Sequence, residues 1–579
     1  MDTLKFEAKN IRLRELLYTN DRRFVVPRYQ RPYSWGEDEL QDFWDDLIQV
    51  SESGGGLFLG SVILNKEFEE SKGHIELVDG QQRLLTLTIL SVVLRDISNI
   101  YDRKYAELIQ RKDIALEDMD GNMTWRILPG ESIKTLFINH LLKFPKKPFP
   151  ENMNAEGRRL EAAYSFFHRV VNTYLEKRDT ENGKMVLLKE LRKSLSDIFV
   201  VAIFLANEES AYEIFEATNA KGVDLSVSDL IKNLVFKNLA PSGEKDDAKE
   251  SWDEITSNVE STGTELKKFI RYSWISSRTF LPERRLYRVV KKDVKNWRDY
   301  LLELHVDSEL YKLLLVGDAK EYDDKGYKNS IKLYSSVNAI NIMGIQQYVL
   351  LLLPLLRNDI PKHIDISNYL NLLENFLFAY FVVSKQPANK IERLFARYAI
   401  DLDHTAKIPS EKQKRRSINS TLDNLVSELR RLYPSKDLFI AKFMEIEYKN
   451  SPKSRIVIKY ILNKFERELS GSDELIPNFN VINIEHLLPQ KPAQWNLTKS
   501  AVKGYVNLLG NLTLVDKHLN SKAQNSPLAD KLEILKKSKL QITRELVELA
   551  MSHGRWDEEL IRQRQARFAE LAYTRIWAM

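Results

Sequence analysis

The stretch at residues 481–531 constrains the fold more than any other part of this 579-residue chain. It opens with alternating apolar residues that end at His486, which indicates a short strand. After a long loop, residues 512–515 predict an antiparallel partner strand, and residues 527–540 have a helical composition. Strand, loop, strand and helix together predict a small ββα unit.

The polar side chains of this stretch suit hydrolysis of a phosphodiester. His486 is a candidate general base, because the unperturbed pKa of histidine lies close to neutral pH. Glu485 and Asn520 offer oxygen ligands, which a hard divalent cation such as Mg²⁺ prefers. Such a cation polarises the scissile phosphate and stabilises the leaving oxygen. Taken alone, His486 could be a structural histidine, and the Gly-Asn pair at 510–511 could be a simple turn. The nuclease interpretation therefore depends on the order and spacing of the motifs.

Three motifs define that order: Glu485-His-x-x-Pro489, Gly510-Asn-Leu-Thr-Leu514 and Leu519-Asn-Ser521. The set resembles the His-Asn-His (ββα-metal) nuclease domain at the C-terminus of type IV, modification-dependent restriction enzymes of the GmrSD kind. The nine-residue separation of Asn511 from Asn520 is typical of this nuclease class.

The resemblance implies a role for each residue of the set. His486 would be the general base, and Glu485 and Asn520 would bind Mg²⁺ or Mn²⁺. Asn511 would be the structural asparagine of the catalytic unit, tying the loop to the strands. Lys531, at the start of the predicted helix, is a candidate contact to a DNA phosphate.

A second phosphate site is predicted near the N-terminus. Strands at 57–64 and 75–78 lead to Asp79-Gly-Gln-Gln-Arg83, which opens an apolar helix. A polar turn at a helix N-terminus presents free N–H groups to an anion, and Arg83 adds a fork-shaped donor for phosphate. Gln81 and Gln82 are suited to orient a water molecule or bind a phosphate. A tight turn with a surface arginine is the alternative, and no Walker motif occurs in the chain.

The motifs at 27–35, 79–83 and 215–232 resemble the signature set of the ParB-like N-terminal domain of the same restriction family. In that family the domain binds and hydrolyses a nucleoside triphosphate, and Asp79 would be a metal or water partner. Tyr29 is a candidate for stacking on a modified base, and packing against the first helix is the alternative. The residues that the resemblance places around the nucleotide are Gln30, Arg31, Asp79, Gly80, Gln81, Gln82, Arg83, Asn219 and Lys221.

Composition excludes several classes of protein. The chain has no cysteine, which excludes disulfides, Cys-ligated zinc and thiol nucleophiles. Its net charge of +5 permits local nucleic-acid-binding patches without demanding them. The N-terminus has no signal-peptide pattern and the apolar runs are too short to span a bilayer, so we expect a soluble, cytoplasmic protein without a membrane partner.

We therefore expect an α+β, predominantly helical fold with a ParB-like α/β domain at 1–240, a helical middle at 241–450 and a ββα-metal nuclease domain at 451–579. The predicted function is a type IV endonuclease with NTPase activity that restricts modified phage DNA. Its partners would be double-stranded DNA, GTP, ATP, UTP or CTP, and a second copy of the chain through the C-terminal helices. The alternatives are a nucleotide-dependent DNA-binding regulator with an inactive nuclease fold, and an unselective nuclease or toxin.

Overall fold

The computed structural model describes residues 6–18, 22–27, 30, 32–53, 56–67, 69–117, 123–206, 227–239, 246–471 and 482–579. They form two compact units, Met1–Ser242 and Gly243–Met579. The predicted α+β, mostly helical fold is confirmed. The predicted boundary near residue 450 lies inside the second unit, and the three-domain division stays a prediction.

The first unit contains a six-stranded mixed sheet. The strand order is β1-β8-β3-β4-β2-β7, with β3 parallel to β8 and antiparallel to β4. Alternating burial along β8 fits a strand that is covered on one face. The strands of the unit are β1 (Phe6–Arg12), β2 (Phe24–Val25), β3 (Phe58–Asn65), β4 (Ile75–Asp79), β5 (Ala115–Glu117), β6 (Met123–Trp125), β7 (Ile127–Leu128) and β8 (Phe199–Leu205).

The helix Gln81–Tyr101 lies at the centre of the first unit, and most of its residues are buried. Among the described residues it is the one helix long and apolar enough to cross a membrane, and 78% of that apolar stretch is buried inside the protein. The other helices of the unit are Glu37–Ser53, Glu69–Lys72, Arg103–Ile109, Glu131–Phe137, Ala155–Leu175, Glu181–Ser196 and Val227–Asn238, with π-helical turns at Arg14–Tyr18, Gln110–Ile114 and Ile138–Leu142.

The second unit begins with a stack of helices. The guanidinium of Arg357 lies 2.6 Å from the buried carboxylate of Asp307 and 3.3 Å from that of Asp403, which joins three of these helices. The helices up to residue 470 are Asp247–Glu260, Leu266–Ser277, Leu286–Asp293, Trp297–Val316, Ala319–Asp324, Ser330–Ile342, Val349–Arg357, Ile360–His363, Ser367–Leu377, Ala388–Ala406, Glu411–Leu432, Lys436–Phe443 and Pro452–Ser470, with a 3₁₀ turn at Glu283–Arg285 and a π-helical turn at Phe378–Val383.

The predicted ββα unit is present in the second unit. Strand β9 (Ile482–His486) pairs antiparallel with β10 (Leu512–Asp516), and His486 lies opposite Leu512. The predicted helix at 527–540 is shorter than expected and is followed by a separate helix. The helices of this part are Lys499–Val502, Lys517–Ala523, Leu528–Leu535, Gln541–His553 and Glu558–Leu571, with 3₁₀ turns at Pro492–Trp495 and Leu509–Asn511 and a π-helical turn at Ala572–Ile576.

Candidate functional site

The ring of His486, at the end of β9, is held by two amide side chains. Its Nε2 lies 3.2 Å from Asn507 Oδ1 and 3.3 Å from Gln490 Nε2. Gln490 Nε2 also donates to Asn507 Oδ1 at 2.7 Å. When Nε2 carries the ring proton, it donates to Asn507 Oδ1, and Nδ1 is then the atom able to accept a proton. Tyr448 packs edge-on against the imidazole, with ring centroids 5.1 Å apart.

Burial determines the charge of this imidazole. It lowers the pKa of His486 to about 4, and the ammonium of Lys531 acts in the same direction. The hydrogen bond to Asn507 raises the pKa but does not outweigh burial. At neutral pH the ring is therefore uncharged, which is the form of histidine that can accept a proton.

Lys531 lies inside the site. Its side chain has no exposed surface, and its Nζ lies 2.6 Å from Glu485 Oε1. The same ammonium donates to the backbone oxygens of His486 at 2.6 Å and Gln524 at 2.7 Å. These three contacts use all three donors of a lysine. The predicted contact between Lys531 and a DNA phosphate does not fit this geometry, because the ammonium is enclosed and fully engaged.

Asn520 carries a buried side-chain oxygen. It lies on the helix Lys517–Ala523, which begins with Asp516 as its N-cap. Its Oδ1 is buried and has no hydrogen-bond partner among the described residues. A buried carbonyl oxygen without a partner costs free energy, and a hard cation would remove that cost. The side-chain oxygens of Glu485 and Asn520 are therefore of the type that such an ion binds.

This donor set is small. The described residues contain no group of three or more His, Cys, Asp and Glu side chains arranged to bind a metal. A cation bound by one carboxylate and one amide oxygen completes its shell with water and substrate oxygens, as Mg²⁺ commonly does.

Asn511 joins four parts of the chain through one buried side chain. Its Oδ1 accepts from the backbone N–H of Leu488 at 2.8 Å and from Trp556 Nε1 at 2.9 Å. Its Nδ2 donates to the backbone oxygens of Leu488 and Val506. The side chain thereby fixes the segments after β9 and before β10 to each other.

The glycine before this asparagine permits close packing. A Cβ at Gly510 would lie 2.0 Å from the backbone oxygen of Ile561. The N–H of Gly510 donates to Gln565 at 2.6 Å, and its carbonyl accepts from Arg564 at 2.9 Å. The helix Glu558–Leu571 thus rests directly on the backbone of the Gly-Asn motif.

In the first unit, the residues of the predicted anion site lie at the junction of β4 with the helix Gln81–Tyr101. Gly80 adopts φ +90°, a conformation that residues with side chains rarely adopt. The amides of the first helical turn have no intrahelical acceptor. The guanidinium of Arg83 donates to the backbone oxygen of Leu59 at 3.0 Å and lies 3.4 Å from Asp79.

Two glutamines tie the preceding loop to this junction. Gln30 Nε2 donates to the backbone oxygen of Val78 at 2.7 Å. Gln82 accepts from the N–H of Ser34 at 2.8 Å and donates to the backbone oxygen of Pro32 at 3.0 Å. The structure therefore brings together two of the predicted N-terminal motifs. Other residues predicted for this site, Tyr29, Arg31, Asn219 and Lys221, lie outside the described residues.

Sequence reasoning missed three residues around His486. Gln490 directly follows the Glu485–Pro489 motif, and Asn507 shortly precedes the Gly-Asn motif, so their proximity to the motifs was a usable signal. Tyr448 precedes the helix Pro452–Ser470, which itself comes before β9 in the chain. No local pattern connects it to the histidine.

Two family models match the chain. One is described as GmrSD restriction endonuclease, N-terminal domain, and matches residues 13–236. The other is described as GmrSD restriction endonucleases, C-terminal domain, and matches residues 433–571. Together they cover more than half of the chain and include both sites described above. A comparison with curated proteins finds no match.

Proposed function

Because the chain belongs to the GmrSD restriction endonuclease family and is a restriction nuclease, we propose that it hydrolyses double-stranded DNA at the β9–β10 unit. Two observations carry this proposal: the ring of His486 is uncharged, and Oδ1 of Asn520 is buried without a hydrogen-bond partner among the described residues. The ring can accept a proton, and the oxygen can bind a cation.

In this proposal His486 is the general base. It takes a proton from the attacking water, while Asn507 and Gln490 hold the ring in place. Glu485 and Asn520 would hold Mg²⁺ or Mn²⁺. When bound, such a cation polarises the scissile phosphate and stabilises the leaving oxygen. Lys531 holds one carboxylate oxygen of Glu485, which leaves the other available to a cation.

We further propose that the first unit binds and hydrolyses a nucleoside triphosphate and thereby regulates the nuclease. The start of the helix Gln81–Tyr101 suits a phosphate, because the positive end of a helix dipole attracts an anion. Gly80, at φ +90°, forms the tight turn into this helix, and Gln30 and Gln82 hold the neighbouring loop against it. Arg31, Asn219 and Lys221 belong to this proposal through the family resemblance. The proposed substrate is modified phage DNA.

A cleavage assay tests these proposals together. Wild type and His486→Ala would be incubated with Mg²⁺ and with unmodified or glucosylated-hydroxymethylcytosine phage DNA, with and without each nucleoside triphosphate. We expect the wild type to cut modified DNA in a nucleotide-dependent way and the variant to lose at least about 100-fold in rate, as expected for a general base.

Each other outcome points to a specific alternative. Equal cutting of both DNAs would favour an unselective nuclease. DNA binding with no cutting of any modified substrate would favour a nucleotide-dependent regulator with an idle nuclease fold. An unchanged rate in His486→Ala would remove the histidine from the catalytic role.

A further inference from the structure

A group of cations lies on two helices that pack against both nuclease strands. The helices Pro452–Ser470 and Lys517–Ala523 both contact β9 and β10. The first carries Arg455 and Lys459 within its first eight residues, and the second begins with Lys517. Arg455 and Lys517 are exposed and Lys459 is half-buried.

One of these cations is linked to the catalytic histidine through a single residue. Arg455 Nε donates to the hydroxyl of Tyr448 at 3.1 Å. The ring of Tyr448 packs against the imidazole of His486 with centroids 5.1 Å apart. Arg455 also donates to the side chain of Asn450. The guanidinium is thus held one tyrosine away from the candidate general base.

The three cations lie close enough to repel one another. Burial lowers the pKa of Lys459, and the positive charges of Lys517 and Arg455 lower it further. A folded protein pays free energy to hold like charges together, and groups of this kind are frequent at sites that bind an opposite charge. The polyanionic backbone of DNA is such a ligand.

We infer that Arg455, Lys459 and Lys517 form a phosphate-binding surface that holds the DNA backbone next to His486. This inference rests on the proposed nuclease function and names the surface that would bind its substrate. Two of its three cations are exposed and can contact a DNA phosphate. Lys531 cannot make that contact, because it is enclosed. Tyr448 is a positioning residue that keeps Arg455 and the imidazole at a fixed separation.

The test measures DNA binding without cleavage. All variants of the full chain carry His486→Ala, and binding of a short fluorescent DNA duplex is followed by anisotropy between about 50 and 200 mM salt. The test variant is Arg455→Gln/Lys517→Gln. The matched control is Arg298→Gln/Lys320→Gln, which removes one exposed arginine and one exposed lysine from helices of the same unit.

We expect the test variant to bind about tenfold more weakly or worse, and its slope of log K against log salt to fall by about two, because each phosphate contact contributes roughly one. The control should match the parent in affinity and slope. Stabilisation of the protein by Mn²⁺, read from thermal unfolding, should be equal in parent, test and control, because none of these residues is a proposed metal ligand.

Three results would overturn the inference. An unchanged affinity and slope in the test variant would reject this surface while leaving the nuclease proposal intact. An equal loss in the control would show a general charge effect. A parent that binds no DNA, or binds RNA more tightly than DNA, would reject both the surface and the proposed function.

Discussion

Lys531 is a buried ammonium at the centre of the nuclease unit, and its contacts suggest a role in organising the carboxylate beside it. It pairs with Glu485 at 2.6 Å, and burial raises the pKa of that carboxyl while the lysine lowers it. Removing one partner of a buried ion pair leaves an uncompensated charge, which costs about 3–5 kcal/mol.

We therefore expect Lys531→Met to destabilise the protein by about 3 kcal/mol. Mn²⁺ should stabilise this variant more than it stabilises the wild type, since the cation would then be the main compensating charge for Glu485. Thermal unfolding with and without Mn²⁺ measures both effects. Lys536→Met, an exposed change on the adjoining turn, is the control. Equal melting temperatures for the two variants would contradict the prediction.

His486 makes stability depend on pH. Its pKa is about 4 in the folded protein, against about 6.5 in an unfolded chain. As pH falls below 6.5, the unfolded state takes up a proton that the folded state excludes. The stabilising contribution is therefore complete above pH 6.5 and is lost between there and about pH 4.

We expect the wild type to lose about 2 kcal/mol more than His486→Ala between pH 7 and pH 5. Denaturant unfolding followed by tryptophan fluorescence at the two pH values measures this difference. Parallel losses in the two proteins would show that the imidazole does not titrate as its burial implies.

At the level of secondary structure, alternation and composition predicted the strands of both sites and the long apolar helix. The helix predicted at 527–540 ends at Leu535 instead, and a new helix begins at Gln541. The start of the new helix is capped from a distant part of the chain: the buried carboxylate of Glu466 accepts from the N–H groups of Gln541 and Ile542 at 3.0 and 2.8 Å. Because this cap comes from another helix, the sequence around Gln541 does not indicate it. The sequence around Lys531 likewise does not indicate that this side chain is buried.

This distant cap yields a prediction for the helix Gln541–His553. Glu466→Ala should destabilise the second unit by about 2 kcal/mol, because two backbone donors lose a charged acceptor. Glu466→Gln keeps one amide oxygen as an acceptor and should lose less. Hydrogen exchange at the first turn of the helix locates the effect. Full protection of that turn in Glu466→Ala would show that the cap is dispensable.

At the scale of the whole molecule, composition indicated a globular protein without disulfides, and the motifs indicated the function. The motif order was sufficient to predict the family, and the helical patterns together with that resemblance were sufficient to predict the fold class. They could not show that residues 243–579 pack as one unit, because packing between a helical stack and a ββα unit depends on contacts far apart in sequence.

The division into two units predicts that residues 243–579 fold when expressed alone. This fragment contains the hydrophobic cluster around the nuclease strands and every residue proposed for cleavage. We expect one cooperative thermal transition and stabilisation by Mn²⁺, with no response to nucleoside triphosphates. A fragment that stays unfolded, or that responds to nucleotide, would contradict this assignment of roles.

The close approach at Gly510 has a genetic consequence. Every missense change available to a glycine codon introduces a Cβ, and here that atom would meet the backbone of Ile561 at 2.0 Å. A backbone atom cannot move aside as the end of a flexible side chain can. At codon 510 every missense change therefore disrupts the packing of the nuclease unit, and only synonymous changes are neutral, so a single nucleotide change there can silence the enzyme.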